Sequence, residues 1–115
     1  MKKINLAITG CMGRMGQQLI KSANKDKAFK ITSLTESRRI NKRIFGVSPE
    51  INSIDAFKKA NVIIDFTVPK CTFEILKIAF KLKKKVVIGT TGFTKREEKL
   101  IKKFSNKIPI LKAGN

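Results

Sequence analysis

At 115 residues the chain has material for one domain around a single hydrophobic core. The basic Met1-Lys2-Lys3 leads only into a short apolar stretch broken by Asn5, and no run nears the ~20 apolar residues of a membrane span, which argues against a signal peptide or membrane segment and for a cytoplasmic chain. The net charge of +18 rests on 21 scattered lysines and five arginines, with no tyrosine, tryptophan or histidine, a pattern of AT-rich codon drift rather than of nucleic-acid recognition, and the two distant cysteines give neither a metal site nor a disulfide framework.

The first predicted strand covers residues 4–8 and runs into the turn "TGCMGRMG", after which Leu19, Ile20 and Ala23 recur at helical spacing over residues 14–25. A second strand, residues 29–34, ends near Glu36. The basic segment from Ser37 to Arg43 and the stretch through Gly46 and Pro49 read as loop, and Ser53 is placed to cap a short helix over residues 54–59. Residues 62–66, Val-Ile-Ile-Asp-Phe, suit a third strand buried on both faces, with Pro69 marking its exit turn. A dense apolar helix over residues 72–82, a strand over 86–88, a helix opened by Thr94 and Glu97 as a capping box, and a last strand over 108–111 complete the series. Strands alternating with helices predict an α/β fold, a doubly wound parallel sheet with helices on both faces.

Gly10, Gly13 and Gly16 crowd the first strand-to-helix turn, where unpaired helix N–H groups and the positive end of the helix dipole suit a pyrophosphate. The spacing departs from G-x-G-x-x-G, because Met12 stands where the second glycine would be. A tight turn with close helix packing would use the same glycines. Glu36 adds a second element: it lies 20 residues after Gly16 at a predicted strand end, where a dinucleotide fold needs a carboxylate for the adenosine ribose. Ser37, Arg38 and Arg39 follow and could hold a ribose 2′-phosphate, so both NADH and NADPH stay open. "DFTVP", from Asp65 to Pro69, and "GTTGF", from Gly89 to Phe93, fall at the carboxyl ends of later strands, the edge where open α/β sheets bind ligands.

"GCMGRMG", "IDFTVP", "VIGTTGF" and the closing "KAGN" occur in an order that resembles the N-terminal half of the 4-hydroxy-tetrahydrodipicolinate reductases, also called dihydrodipicolinate reductases. The resemblance spans residues 4–115 and implies a Rossmann-like dinucleotide-binding domain over 1–115, incomplete at its C-terminus. It implies that Gly10, Cys11, Met12, Gly13, Arg14 and Met15 form the dinucleotide loop, and that Glu36 binds the ribose. Where the family often has an arginine for the 2′-phosphate this chain has Ser37, so Arg38 or Arg39 would have to replace it. Phe66 and Thr67 would line the pocket, Gly89, Thr90 and Thr91 would lie beside the nicotinamide, and Ala113, Gly114 and Asn115 would complete it. The family's second domain supplies histidines and a lysine for proton transfer and substrate recognition and forms a homotetramer. With no histidine here, this half is expected to hold NADH or NADPH and to act on a small-molecule substrate only with that domain, without nucleic acid or membrane as partner. Two other readings are a homoserine- or aspartate-dehydrogenase-like cofactor domain, which "GTTGF" and "DFTVP" disfavour, and a basic nucleic-acid module whose glycines merely turn the chain.

Overall fold

The computed structural model describes residues 2–113. Ten elements follow in order: β1 (Ile4–Thr9), α1 (Arg14–Lys25), β2 (Phe29–Glu36), β3 (Glu50–Ile51), α2 (Ile54–Phe57), β4 (Val62–Asp65), α3 (Pro69–Leu82), β5 (Lys85–Ile88), α4 (Lys95–Ser105) and β6 (Ile110–Lys112). The strands form one sheet in the order β3-β2-β1-β4-β5-β6, with every pairing parallel.

The alternation of side chains along each strand divides the core in two. Ala7, Ile63, Val86 and Ile88 pack on one face against Ala56 and Phe57 of α2, Ile75, Leu76 and Ala79 of α3, and Ile101 of α4. On the other face Ile8 and Leu34 meet Ile20 of α1. Helices therefore cover both faces, as the sequence predicts. The cover is unequal, because among the described residues α1 is the one helix on its side. There Ile4, Leu6, Leu19, Phe29, Val62, Ile64 and Val87 line an apolar groove of about 370 Å³.

Four places differ from the sequence reading by two residues or more. Pro69 opens α3 rather than ending a turn before it: at the first helical position its missing N–H costs nothing, and its fixed φ suits the helix. The last strand starts at Ile110, because Ile108 donates its N–H to Phe104 at the end of α4 and Pro109 has none to give. The short helix stops at Phe57. Within the segment read as loop, Glu50 and Ile51 pair with Thr35 and Glu36 as the two-residue β3, too short to carry a periodic signal.

The chain crosses from β1 to β2 through α1 on one face and, in the opposite direction along the sheet, from β4 to β5 through α3 on the other face, as two crossovers of the same hand must. The sheet order thus reverses between β1 and β4, and the loops leaving these two neighbours diverge and open a crevice at their carboxyl ends.

Candidate functional site

The glycine loop is shaped by contacts that exclude side chains. Gly10 has φ +63°, and a Cβ there would lie 2.5 Å from the Phe66 carbonyl oxygen. A Cβ on Gly16 would collide with the Gly10 carbonyl oxygen, so the first turn of α1 sits directly on the loop. The Gly13 N–H donates to the Gly10 carbonyl at 3.0 Å and closes the turn. Gly13 is the N-cap of α1, with no side-chain cap and no acidic residue in the first turn. By contrast α4 is sealed by the Thr94–Glu97 capping box and carries Glu97 and Glu98 in its first turn. The positive end of α1 is left available to an anion above the loop.

Across from it, Glu36 ends β2. Its Oε2 accepts the Met12 N–H at 3.0 Å, and its Oε1 accepts the Ser37 N–H at 3.2 Å. The acid is thereby held against the glycine loop, 24 residues away in sequence. Gly10, Gly13, Glu36, Ser37, Phe66 and Thr67 line a cleft of about 260 Å³, together with Val68 and Cys71. The glycine loop, the acid and the "DFTVP" turn thus converge on one cleft.

The other sequence-predicted residues take differing positions. Cys11 turns its side chain into the core beside Ile8, Ile20 and Leu34, leaving only its backbone on the loop. Burial, reinforced by the Glu36 carboxylate, pushes the Cys11 thiol up to about 11. The Cys71 thiol is also raised, by burial first and then by the charges of Glu74, Asp65 and Glu36. Neither thiol is set up as a nucleophile. Met12 is half-buried, whereas Arg14, Met15, Ser37 and Arg38 are exposed. In the "GTTGF" segment the space above Gly89 is filled by the Phe66 ring, Thr90 is buried and Thr91 is exposed. Phe93 packs edge-on to Phe73, with centroids 6.0 Å apart. Ala113 is exposed and donates its N–H to the Ile88 carbonyl at 2.7 Å, which ties the exit of β6 to the end of β5. Gly114 and Asn115 lie outside the described residues.

The sequence reading passed over the chemistry beneath this cleft. Asp65 is fully buried, and four threonine hydroxyls converge on its carboxylate. The available signal was an acid closing a strand of otherwise apolar residues, with threonines at neighbouring strand ends.

A glycine loop and an acidic strand end that meet at the switch point of an all-parallel sheet define a Rossmann-like dinucleotide-binding domain. Comparison with known proteins narrows the class. Residues 4–115 match the family described as dihydrodipicolinate reductase, N-terminus, and the chain belongs to that family. The 4-hydroxy-tetrahydrodipicolinate reductase of Pelagibacter ubique (strain HTCC1062) is 68% identical over 115 residues, which is 100% of this chain and 45% of the relative. That of Buchnera aphidicola subsp. Schizaphis graminum is 40% identical over 128 residues, covering 99% of this chain and 46% of its own. The chain thus spans a little under half the length of the curated relatives it matches. Among solved structures, the dipicolinate-bound dihydrodipicolinate reductase from Paenisporosarcina sp. TG-14 superposes with a TM-score of 0.80 at 24% identity, over 99% of this chain and 48% of that one. A homoserine dehydrogenase from S. aureus shares the fold, with a TM-score of 0.77 at 16% identity over 96% of this chain and 32% of that one.

Proposed function

We propose that this chain is the NADH- or NADPH-binding half of a 4-hydroxy-tetrahydrodipicolinate reductase. The observation that carries the reading is the Glu36 carboxylate bonded to the Met12 amide of the glycine loop, in a chain whose relatives bear that enzyme's name. In this reading the loop amides and the positive end of α1 take the pyrophosphate, and Glu36 takes the hydroxyls of the adenosine ribose. Exposed Arg38 and Arg39 stand near enough in sequence to serve a 2′-phosphate, which keeps NADPH beside NADH. Gly89, Thr90 and Thr91 border the nicotinamide in the same reading.

When bound, the cofactor supplies a hydride. In the whole enzyme, 4-hydroxy-tetrahydrodipicolinate, the reduced nicotinamide and a proton give tetrahydrodipicolinate, the oxidised nicotinamide and water, a step of lysine biosynthesis by the diaminopimelate route. This half binds and orients the cofactor. Proton transfer and substrate recognition fall to the second domain of the family, whose members we expect to assemble as homotetramers in the cytoplasm.

The test is a calorimetric titration of NADH and of NADPH into the chain and into Glu36→Ala, at low and high salt. Saturable binding that Glu36→Ala weakens about tenfold is expected, since a carboxylate hydrogen-bonded to a ribose diol contributes a charge-assisted pair. A folded chain that binds neither nucleotide would refute the reading. Binding of nucleic acid that collapses steeply with salt would favour the basic-module alternative.

A further inference from the structure

We propose that Asp65 is a positioning residue: its buried carboxylate gathers four threonine hydroxyls into a hub that fixes both walls of the cleft before a dinucleotide enters. The proposal rests on the dinucleotide reading above. The hydroxyls come from four separate pieces of chain. Thr9 ends β1, Thr67 follows β4, Thr72 lies in the first turn of α3, and Thr90 follows β5.

Each hydroxyl has one proton to give, and each has a choice between Asp65 and a backbone carbonyl. Thr9 is 2.9 Å from Asp65 Oδ1 against 3.2 Å from the Ile64 carbonyl. For Thr67 the distances are 2.6 Å to Oδ1 and 3.4 Å to the Val68 carbonyl. Thr72 stands 2.5 Å from Oδ2 and 3.3 Å from the Val68 carbonyl. Thr90 lies 3.1 Å from Oδ2 and 3.5 Å from the carbonyl of Asp65 itself. The carboxylate is nearer every time, so all four protons point at it. The two oxygens of a carboxylate offer about four acceptor sites, and four hydroxyls meet them here. Thr90 is fixed twice over, because its oxygen also accepts the Thr67 N–H at 2.9 Å.

What the hub holds gives it its role. Phe66 sits between Asp65 and Thr67, with its carbonyl pressed toward Gly10 and its ring over Gly89. The Gly89 N–H donates to the Asp65 carbonyl at 2.8 Å. A shift of residues 65–67 would therefore displace the glycine loop on one side and the "GTT" segment on the other. Fixing such a segment in advance removes an ordering cost from binding.

Thr90→Val, Thr90→Ser and Asp65→Asn in the 115-residue chain test this, with folding followed by circular dichroism and amide spectra. Valine keeps the shape but removes both the proton for Asp65 and the acceptor for Thr67; serine restores both. Asparagine replaces one carboxylate oxygen with a donor, which sets N–H against two of the hydroxyls. The expected result is that Thr90→Val and Asp65→Asn weaken NADH or NADPH binding by about tenfold or more, while Thr90→Ser stays within about twofold of the parent. Exchange protection of the Thr67 amide should vanish in Thr90→Val and return in Thr90→Ser. If Asp65→Asn does not fold, the Thr90 pair decides. A folded Thr90→Val that binds with the parent's affinity would overturn the proposal, even if its melting temperature had fallen. A parent that binds neither nucleotide would instead overturn the cofactor reading, and this inference with it.

Discussion

Gly10 illustrates how a single position couples fold and cleft. Its φ of +63° and the 2.5 Å approach to the Phe66 carbonyl mean that Gly10→Ala must strain the backbone and also push β1 from β4. A loss of roughly 2 kcal/mol or more is expected in urea denaturation. Cys11 gives a pH dependence at the same scale. Its thiol rises from the ordinary 9.0 to about 11 in the fold, so the folded chain holds the proton more tightly than the unfolded one. That stabilisation is complete below pH 9 and is lost as pH climbs toward 11. Lysines also titrate there, so the measurement is a difference: the melting temperature of the parent should fall more steeply between pH 9 and 11 than that of Cys11→Ala. Glu36 and the glycines were legible in the sequence because motif spacing reports them. Asp65 was not, because its role depends on the register that sets Thr9 and Ile88 beside it, which no one segment contains.

At the level of elements, the ends of α1 and α4 offer a controlled contrast. The Thr94 hydroxyl accepts the Glu97 N–H at 3.1 Å and Glu97 Oε1 accepts the Thr94 N–H at 2.8 Å. Thr94→Ala should cost about 1 kcal/mol of stability in denaturant titration while leaving dinucleotide affinity unaltered. The start of α1 has no such cap to lose, and its exposed N–H groups belong to the cleft. The sequence announced the α4 cap directly, as Thr and Glu three residues apart. It announced the strands through their apolar runs, and the helices through periodicity. It was silent on β3, where two exposed residues carry no pattern, and it misjudged Pro69, because a proline after a strand signals a turn and a helix start equally well. One irregularity has a visible side-chain partner: the β1–β2 register slips between Leu6 and Ala7, and Thr32 there donates its hydroxyl to the Leu6 carbonyl at 3.1 Å.

Over the whole molecule, charge and coverage set the behaviour. The 26 lysines and arginines exceed the eight acids by the full net charge of +18, an excess that ion pairs cannot reduce, and the two salt bridges found among the described residues, Lys58–Asp55 and Lys112–Glu98, leave most of the basic side chains to solvent. Self-repulsion then opposes the compact state and is screened by salt. The melting temperature should rise by several degrees between 10 and 300 mM sodium chloride, about 1 kcal/mol of relieved repulsion for a domain of this size; a flat response would show that the lysines are too dispersed to matter. The apolar groove beside α1 should in turn bind a hydrophobic dye, with fluorescence reduced by Leu6→Ser in a folded variant. The parallel sheet has one practical bearing on these assays. All six strands run the same way, so Ile4 begins at the amino edge and Lys112 ends at the carboxyl edge, two strands over from Asp65. A label at Ile4 would sit about 20 Å from the glycine loop, one six-residue strand away. A label carried on Lys112 would instead sit on the carboxyl edge, the edge at which the cleft opens, and would weigh on the nucleotide measurement that a label at Ile4 leaves alone.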